Sequence, residues 1–200
     1  MSRRPRKVCF VTIGATAPFD VLLSNVLNKS FLEALQQHEY TTLVIQYGKE
    51  GRAVFDKFTK KHAPGSPERC GLDIQGFGFK QDGLLREMRL TKSDDKLDSL
   101  EGMILSHAGS GSIMEALRIG VPLVVVPNPA LQDNHQEELA REIEKNGWAV
   151  TGRLDNLAQS VEKAEDLRRA ARSWPPVNSG ETKYKRGLAG VMEDEMGFVD

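Results

Sequence analysis

Two hundred residues, 40% of them hydrophobic, suffice for one domain with a core of its own. Lys and Arg together number 27 against 28 Asp and Glu, a balance that argues against a general nucleic-acid binder while leaving room for a local basic patch. No stretch approaches the roughly 20 apolar residues that span a bilayer.

The opening MSRRPRKVCFVTIGATA has a basic start but too short an apolar run for a secretory leader, so a cytosolic chain is expected. Any membrane contact would then come from a partner or a surface helix. Cys9 and Cys70 are far apart and have no C-x-x-C partner. Cys9 sits inside an apolar pattern and reads as a reduced core residue.

Lys7 to Ile13 predicts a buried strand, rich in β-branched and aromatic residues. Gly14, Ala15 and Thr16 turn out of it. Asp20 is a candidate N-cap for one helix from Val21 to Gln37, whose apolar residues recur at threes and fours. Tyr40 to Gln46 is a second strand, and Tyr47 to Gly51 turns into an amphipathic helix carrying Val54, Phe55 and Phe58. Leu72 to Gln75 predicts a short strand, followed by a loop from Gly76 to Phe79. Lys80 to Leu100 reads as a surface excursion, with a helical candidate at Leu84 to Leu90.

The densest stretch runs from Met103 to Gln136. A short strand leads into Ser106-His107-Ala108-Gly109-Ser110-Gly111-Ser112, and a helical pattern starts at Ile113 and stops at Gly120. Val121 to Val126 is the next strand. A loop with Pro127 and Pro129 ends at Asp133-Asn134-His135-Gln136, where a helix opens and runs to Lys145. Trp148 to Val150 is a last strand. Leu154 to Arg172 is a helix with Leu157, Val161, Ala164, Leu167 and Ala171 on one face. The division expected is a domain over 1–172 and a tail over 173–200. The tail holds a charged helical candidate, and both it and an apolar patch at Phe77 and Phe79 are candidate partner contacts.

Strands alternate with helices, and most strands are solid apolar runs. That indicates an α/β fold, a doubly wound parallel sheet covered on both faces. Ligands of such sheets bind at the carboxyl ends of strands. Both glycine-bearing turns, at Gly14 and at Gly109 to Gly111, are predicted there. A turn of this kind bares backbone N–H groups at a helix start, where an anion is favoured.

Each motif alone has a plainer reading. Gly109 to Ser112 lacks the lysine of a P-loop and the third glycine of the dinucleotide fingerprint, so it also fits a simple strand-to-helix turn. His107 is a lone histidine, ordinarily structural, yet it stands where an anion would sit. Glu115 suits the start of a helix dipole, or accepts hydrogen bonds from a ribose diol. Asp133 to Gln136 fits a capping box, or a polar set gripping a hydroxyl-rich ligand. No Asp-x-Asp metal–diphosphate clamp, G-x-S-x-G elbow or H-E-x-x-H site occurs.

The order G-A-T (Gly14 to Thr16), S-H-A-G-S-G-S (Ser106 to Ser112), D-N-H-Q (Asp133 to Gln136) resembles the catalytic subunits of the eukaryotic UDP-N-acetylglucosamine transferase that makes chitobiosyl-diphosphodolichol. These are similar in turn to the C-terminal, donor-binding half of the bacterial lipid II-forming transferase, in glycosyltransferase family 28. The resemblance spans roughly residues 7 to 150.

It implies a single Rossmann-like half of a GT-B enzyme that binds UDP-GlcNAc as donor and needs no metal or other cofactor. A membrane-anchored subunit would bring the dolichol-linked acceptor and hold this chain at the cytosolic face of the endoplasmic reticulum, beside a soluble pool. Carried over residue by residue, Gly14, Ala15, Thr16, Gly109, Ser110, Gly111 and Ser112 resemble the diphosphate contacts. Glu115 resembles the ribose carboxylate, and Asn134, His135 and Gln136 resemble the sugar contacts. His107 is the catalytic candidate, stabilising charge on the leaving diphosphate in an inverting displacement. No general base is evident. The rival expectations are a sugar-nucleotide epimerase and a nucleotide-sugar-binding scaffold without catalysis.

Overall fold

A computed structural model of the chain describes residues 4–14, 17–131 and 135–173. Six strands form one wholly parallel sheet: β1 (Arg6–Thr12), β2 (Thr42–Gln46), β3 (Asp73–Phe77), β4 (Ser99–His107), β5 (Leu123–Val126) and β6 (Val150–Thr151). Their spatial order is β3-β2-β1-β4-β5-β6. The doubly wound expectation therefore holds, and β1 and β4 lie side by side at the point where the order reverses.

Among the described residues, six of the seven α-helices pack in two layers. On one face, α1 (Asp20–Val26), α2 (Lys29–Gln37), α3 (Arg52–Lys61) and α7 (Leu157–Ser173) cover Cys9, Val11, Leu43, Ile45, Met103 and Leu105. On the other, α5 (Ser110–Ile119) and α6 (His135–Lys145) cover Val8, Phe10, Val44, Ile104 and Val125. Burial on both faces is why β1, β2 and β5 read as unbroken apolar runs.

Several expected boundaries shift for local reasons. The single helix from Val21 to Gln37 is two, because Asn28 caps a new start and its Oδ1 accepts the Ser30 N–H at 3.2 Å. Phe19 occupies the first cap, and Asp20 is already helical. β3 continues through Gly76 and Phe77, read as loop from sequence. The Phe55 ring lies where a Cβ of Gly76 would be, 2.5 Å from its Cζ, and Phe77 stacks on Phe10 at 6.4 Å. β4 begins at Ser99 rather than Met103, and β6 is Val150–Thr151 rather than Trp148 to Val150.

The stretch from Lys80 to Leu100 is a surface excursion only in part: 92–98 are exposed, whereas 84–91 pack inward. It folds through α4 (Leu85–Met88) and a 3-10 turn at Arg89–Thr91 packed against β1 and β4. Met88 and Thr91 are fully buried there, and Met88 joins the second core. Polar spacing hid this from the sequence.

The inward line of α7 also departs from expectation. Ala171 is exposed, whereas Glu165 and Arg168 are buried. Glu165 holds Lys7 Nζ and Arg168 Nε, each at 3.0 Å, and accepts the Tyr40 hydroxyl at 2.7 Å. Arg168 Nη2 donates to the Gly102 carbonyl at 2.8 Å, while Lys7 Nζ donates to His38 O at 2.9 Å. The cluster pins α7 across the amino ends of β1 and β4. Burial pulls the Lys7 ammonium below its ordinary value, partly offset by Glu165, and pushes Tyr40 well up.

Removing the shared carboxylate leaves Lys7 buried beside Arg168. Glu165→Gln should therefore lower unfolding stability by about 3 kcal/mol. Urea unfolding of the full chain checks this, and a loss below about 1 kcal/mol would contradict it.

Candidate functional site

The crevice at the switch point is built from the ends of β1 and β4. Thr12 pairs with both Gln46 and Ser106, so three carboxyl ends stand level. The chain leaves β1 toward α1 on one face and leaves β4 toward α5 on the other. The two connections diverge and open a hollow of about 400 Å³. Thr12, Gly14, Gln46, His107 and Gly109 to Ser112 line its floor and one wall. Phe79, Lys80, Gly83, Leu84 and Glu115 complete it.

His107 fixes the spacing of the two turns. A Cβ on Gly14 would stand 2.7 Å from its Nε2, and one on Gly109 would stand 2.2 Å away. A side chain on either glycine would displace the ring between them. Gly14 also has φ +88°, a left-handed value that side chains avoid. Behind the ring, Thr12 Oγ1 donates to Gln46 Oε1 at 2.7 Å, and Gln46 Nε2 donates to the Gly14 carbonyl at 3.2 Å. This buried pair holds the first turn from below.

The second turn is tighter than the sequence indicates. α5 starts at Ser110, three residues before Ile113, with Gly109 as its cap and no side-chain acceptor on its first N–H groups. Ser110, Gly111 and Ser112 are thus its first turn, an uncapped helix start facing the crevice. Glu115 lies in the second turn, so the dipole preference for the first turn does not explain it. It faces Gly83, where a Cβ would sit 3.9 Å from its Oε1.

Burial holds the His107 imidazole below the ordinary histidine value, offset in part by the backbone of Thr12. Its Nδ1 is buried and lacks a well-formed hydrogen bond. In the free chain the ring is thus mainly neutral near pH 7, and it has hydrogen-bonding capacity in reserve.

The expected residues divide into three sets. Gly14, His107, Gly109 to Ser112 and Glu115 come together in the crevice. His135 and Gln136 stand instead at the head of α6, beyond the end of β5. His135 is exposed and lies 4.0 Å from Glu138, and Gln136 Oε1 accepts the Asn128 N–H at 2.9 Å. Ala15, Thr16, Asp133 and Asn134 lie outside the described residues, so the capping box and part of both motifs go undescribed.

Sequence reasoning missed Thr12, Gln46, Lys80, Gly83 and Leu84. Gln46 had a signal, a polar residue closing an apolar strand. Lys80 had none. Its ammonium is held by Glu87 and lies 4.7 Å above the Phe77 ring, contacts that exist only once residues 80–91 fold back. Phe79 was read as a partner patch, and here its ring forms part of the crevice wall.

A second hollow, of about 420 Å³, lies beyond β5 and β6 against Pro127, Pro129, Arg141 and Gly152. Its charges are already paired, Arg141 with Glu137 at 3.5 Å and Arg153 with Asp155 at 2.7 Å.

Fold and crevice together define a Rossmann-like α/β domain with a glycine-lined crevice at its switch point. Residues 8–173 match the glycosyltransferase family 28 C-terminal domain, and the chain belongs to that family. It is 33% identical over 207 residues to the UDP-N-acetylglucosamine transferase subunit ALG13 of Eremothecium gossypii, covering 94% of this chain and 92% of that protein. The subunit of the same name from Cryptococcus neoformans is 34% identical over 207 residues, covering 94% and 96%. An NMR structure of ALG13 superimposes with a TM-score of 0.59 at 26% identity, covering 81% of this chain and 87% of that one. MurG of Acinetobacter baumannii shares the fold with a TM-score of 0.50 at 18% identity, covering 86% of this chain and 42% of MurG.

The close approach of His107 to Gly109 makes a non-additive prediction. Gly109→Ala should destabilise the chain by about 1–3 kcal/mol, because the ring must leave its place. In a His107→Ala background most of that cost should vanish. Denaturant unfolding of the four variants in the cycle measures it, and equal losses in both backgrounds would contradict the wedge.

Proposed function

We propose that this chain is the donor-binding catalytic subunit of an inverting glycosyltransferase that moves GlcNAc from UDP-GlcNAc to a dolichol-diphosphate-linked GlcNAc. The observation that carries the reading is the crevice itself, with an uncapped α5 start, Gly14 and a half-buried imidazole converging on one anion-sized space. Family membership and the names of the relatives support the substrate.

In this reading the diphosphate lies against Gly14 and the N–H groups of Ser110 to Ser112, and Glu115 accepts from the ribose diol. Phe79 and Leu84 offer apolar surface for the base. His135 and Gln136, with Asn134, serve the sugar from the head of α6. The acceptor hydroxyl attacks the anomeric carbon, and the bond to the diphosphate breaks. The electron pair stays on the departing phosphate oxygen. Fixed N–H groups and His107 are placed to stabilise that charge without reorganising. The proton of the hydroxyl goes to a base outside this set, and the proposal assigns it to the partner. No metal enters the scheme, since the helix start and His107 take the diphosphate charge.

Among the described residues no helix is long and apolar enough to cross a membrane. The proposal therefore includes a membrane-anchored partner that brings the lipid acceptor and places this chain at the cytosolic face of the endoplasmic reticulum.

Two outcomes follow. The full chain alone should bind UDP-GlcNAc yet transfer little, and combined with membranes containing the partner it should transfer GlcNAc even with chelator present. In that assembly His107→Ala should cut turnover by about 10²-fold while weakening UDP binding less. An unchanged rate would refute the role of His107, and efficient transfer by the chain alone would refute the two-chain scheme.

The second outcome concerns pH. His107 has a lowered pKa when free, and a bound dianion raises it. Binding is then coupled to proton uptake, so affinity is highest below the free-state pKa and falls as pH rises through the bound-state pKa. Calorimetry with UDP-GlcNAc should show weaker binding at about pH 8 than at about pH 5.5, and a flat profile for His107→Ala. A flat wild-type profile would contradict this coupling.

A further inference from the structure

We propose that Asn128 is a positioning residue that sets the distance between the diphosphate side and the sugar side of the donor site. The inference rests on the donor-binding reading above.

Asn128 follows β5 and is only 7% exposed. Its Nδ2 donates to the carbonyl of Pro18 at 3.3 Å, in the connection that leaves the Gly14 turn. Its Oδ1 accepts the N–H of Ala130 at 3.1 Å, which shapes the loop after β5. Its own backbone N–H donates to Gln136 Oε1 at 2.9 Å, at the head of α6. One residue thus joins the connection after β1, the loop after β5 and the first turn of α6.

The span is long in the sheet. β1 and β5 are not neighbours, and β4 lies between them. The link from Asn128 to Pro18 therefore crosses the end of the strand that carries His107. The two turns on the diphosphate side have their own supports, Gln46 beneath Gly14 and the His107 ring between Gly14 and Gly109. The head of α6 has no such tie to them among the described residues except through Asn128. Loss of the link should leave the diphosphate contacts in place and free the sugar side to shift.

Side-chain chemistry makes asparagine specific here. Both ends of the amide are used, one as donor and one as acceptor. An aspartate would keep the bond to Ala130 but set a carboxylate oxygen against the Pro18 carbonyl. A serine would keep an acceptor near Ala130 and be too short for Pro18.

The test compares two ligands on the full chain. UDP carries the diphosphate without the sugar, and UDP-GlcNAc carries both. For Asn128→Asp, calorimetry should show UDP-GlcNAc affinity falling about tenfold while UDP affinity stays within about twofold. Asn128→Ser, which preserves the local loop bond, should show the same selective loss and serves if the aspartate variant folds poorly. In the assembled enzyme, the variants should raise KM for UDP-GlcNAc more than the inhibition constant of UDP. Equal losses for both ligands would reduce Asn128 to a structural role and overturn the proposal, as would no loss for UDP-GlcNAc. A wild-type chain that binds neither ligand would overturn the donor reading, and this proposal with it.

Discussion

The contact between the His107 ring and two glycines governs how the active end of this sheet is arranged. β1 and β4 are neighbours, so their carboxyl ends are about 5 Å apart by the spacing of any sheet. Each end then turns toward a different face. A side chain at Gly14 or Gly109 would strike the ring, which is the nearest group to both. The imidazole therefore acts as a spacer, and its partial burial also lowers its pKa in the free chain. Shape and electrostatics come from the same packing.

The rest of the fold keeps that junction rigid. Below it, Thr12 and Gln46 form a buried polar pair whose cost is offset only because each partner is satisfied. At the opposite end of the same strands, Lys7, Glu165, Arg168 and Tyr40 clamp α7 to the sheet. Residues 80–91 close one side of the crevice and bury Met88 against the second core. Asn128 extends the support to the far side, across β4. Fixed N–H groups held in this way are the kind that serve a transition state well.

Much of this was legible in the sequence, and the limits are physical. β1, β2 and β5 announce themselves because strands buried on both faces must be apolar throughout. The two glycine turns are visible because a Cβ at Gly14 or Gly109 would meet the His107 ring, and Gly14 also has a left-handed φ. The break at Asn28 was missed because the apolar period continues through it, although the cap residue was in view. The inward packing of residues 84–91 was missed because it is carried by Met88 and Thr91 within a polar stretch, a long-range contact without local period. Glu165 and Arg168 were hidden for a related reason: a charged pair on a helix looks solvated until its partners, Lys7 and Tyr40, arrive from over 120 positions away. In the site, motif residues were found and their supports were not. Gln46, Lys80 and Asn128 act through partners distant in sequence, so no spacing rule marks them.

The central claim is that the switch-point crevice holds the donor's diphosphate, with the sugar side at α6. An amide-resolved NMR titration of the ¹⁵N-labelled full chain with UDP-GlcNAc tests it most directly. The account predicts saturable shifts centred on Gly14, Gly109, Ser110, Gly111, Ser112 and Glu115, with a second group at Asn128, His135 and Gln136 that UDP alone fails to produce. Shifts centred instead on Arg141, Gly152 and Arg153, around the hollow beyond β5 and β6, would contradict it.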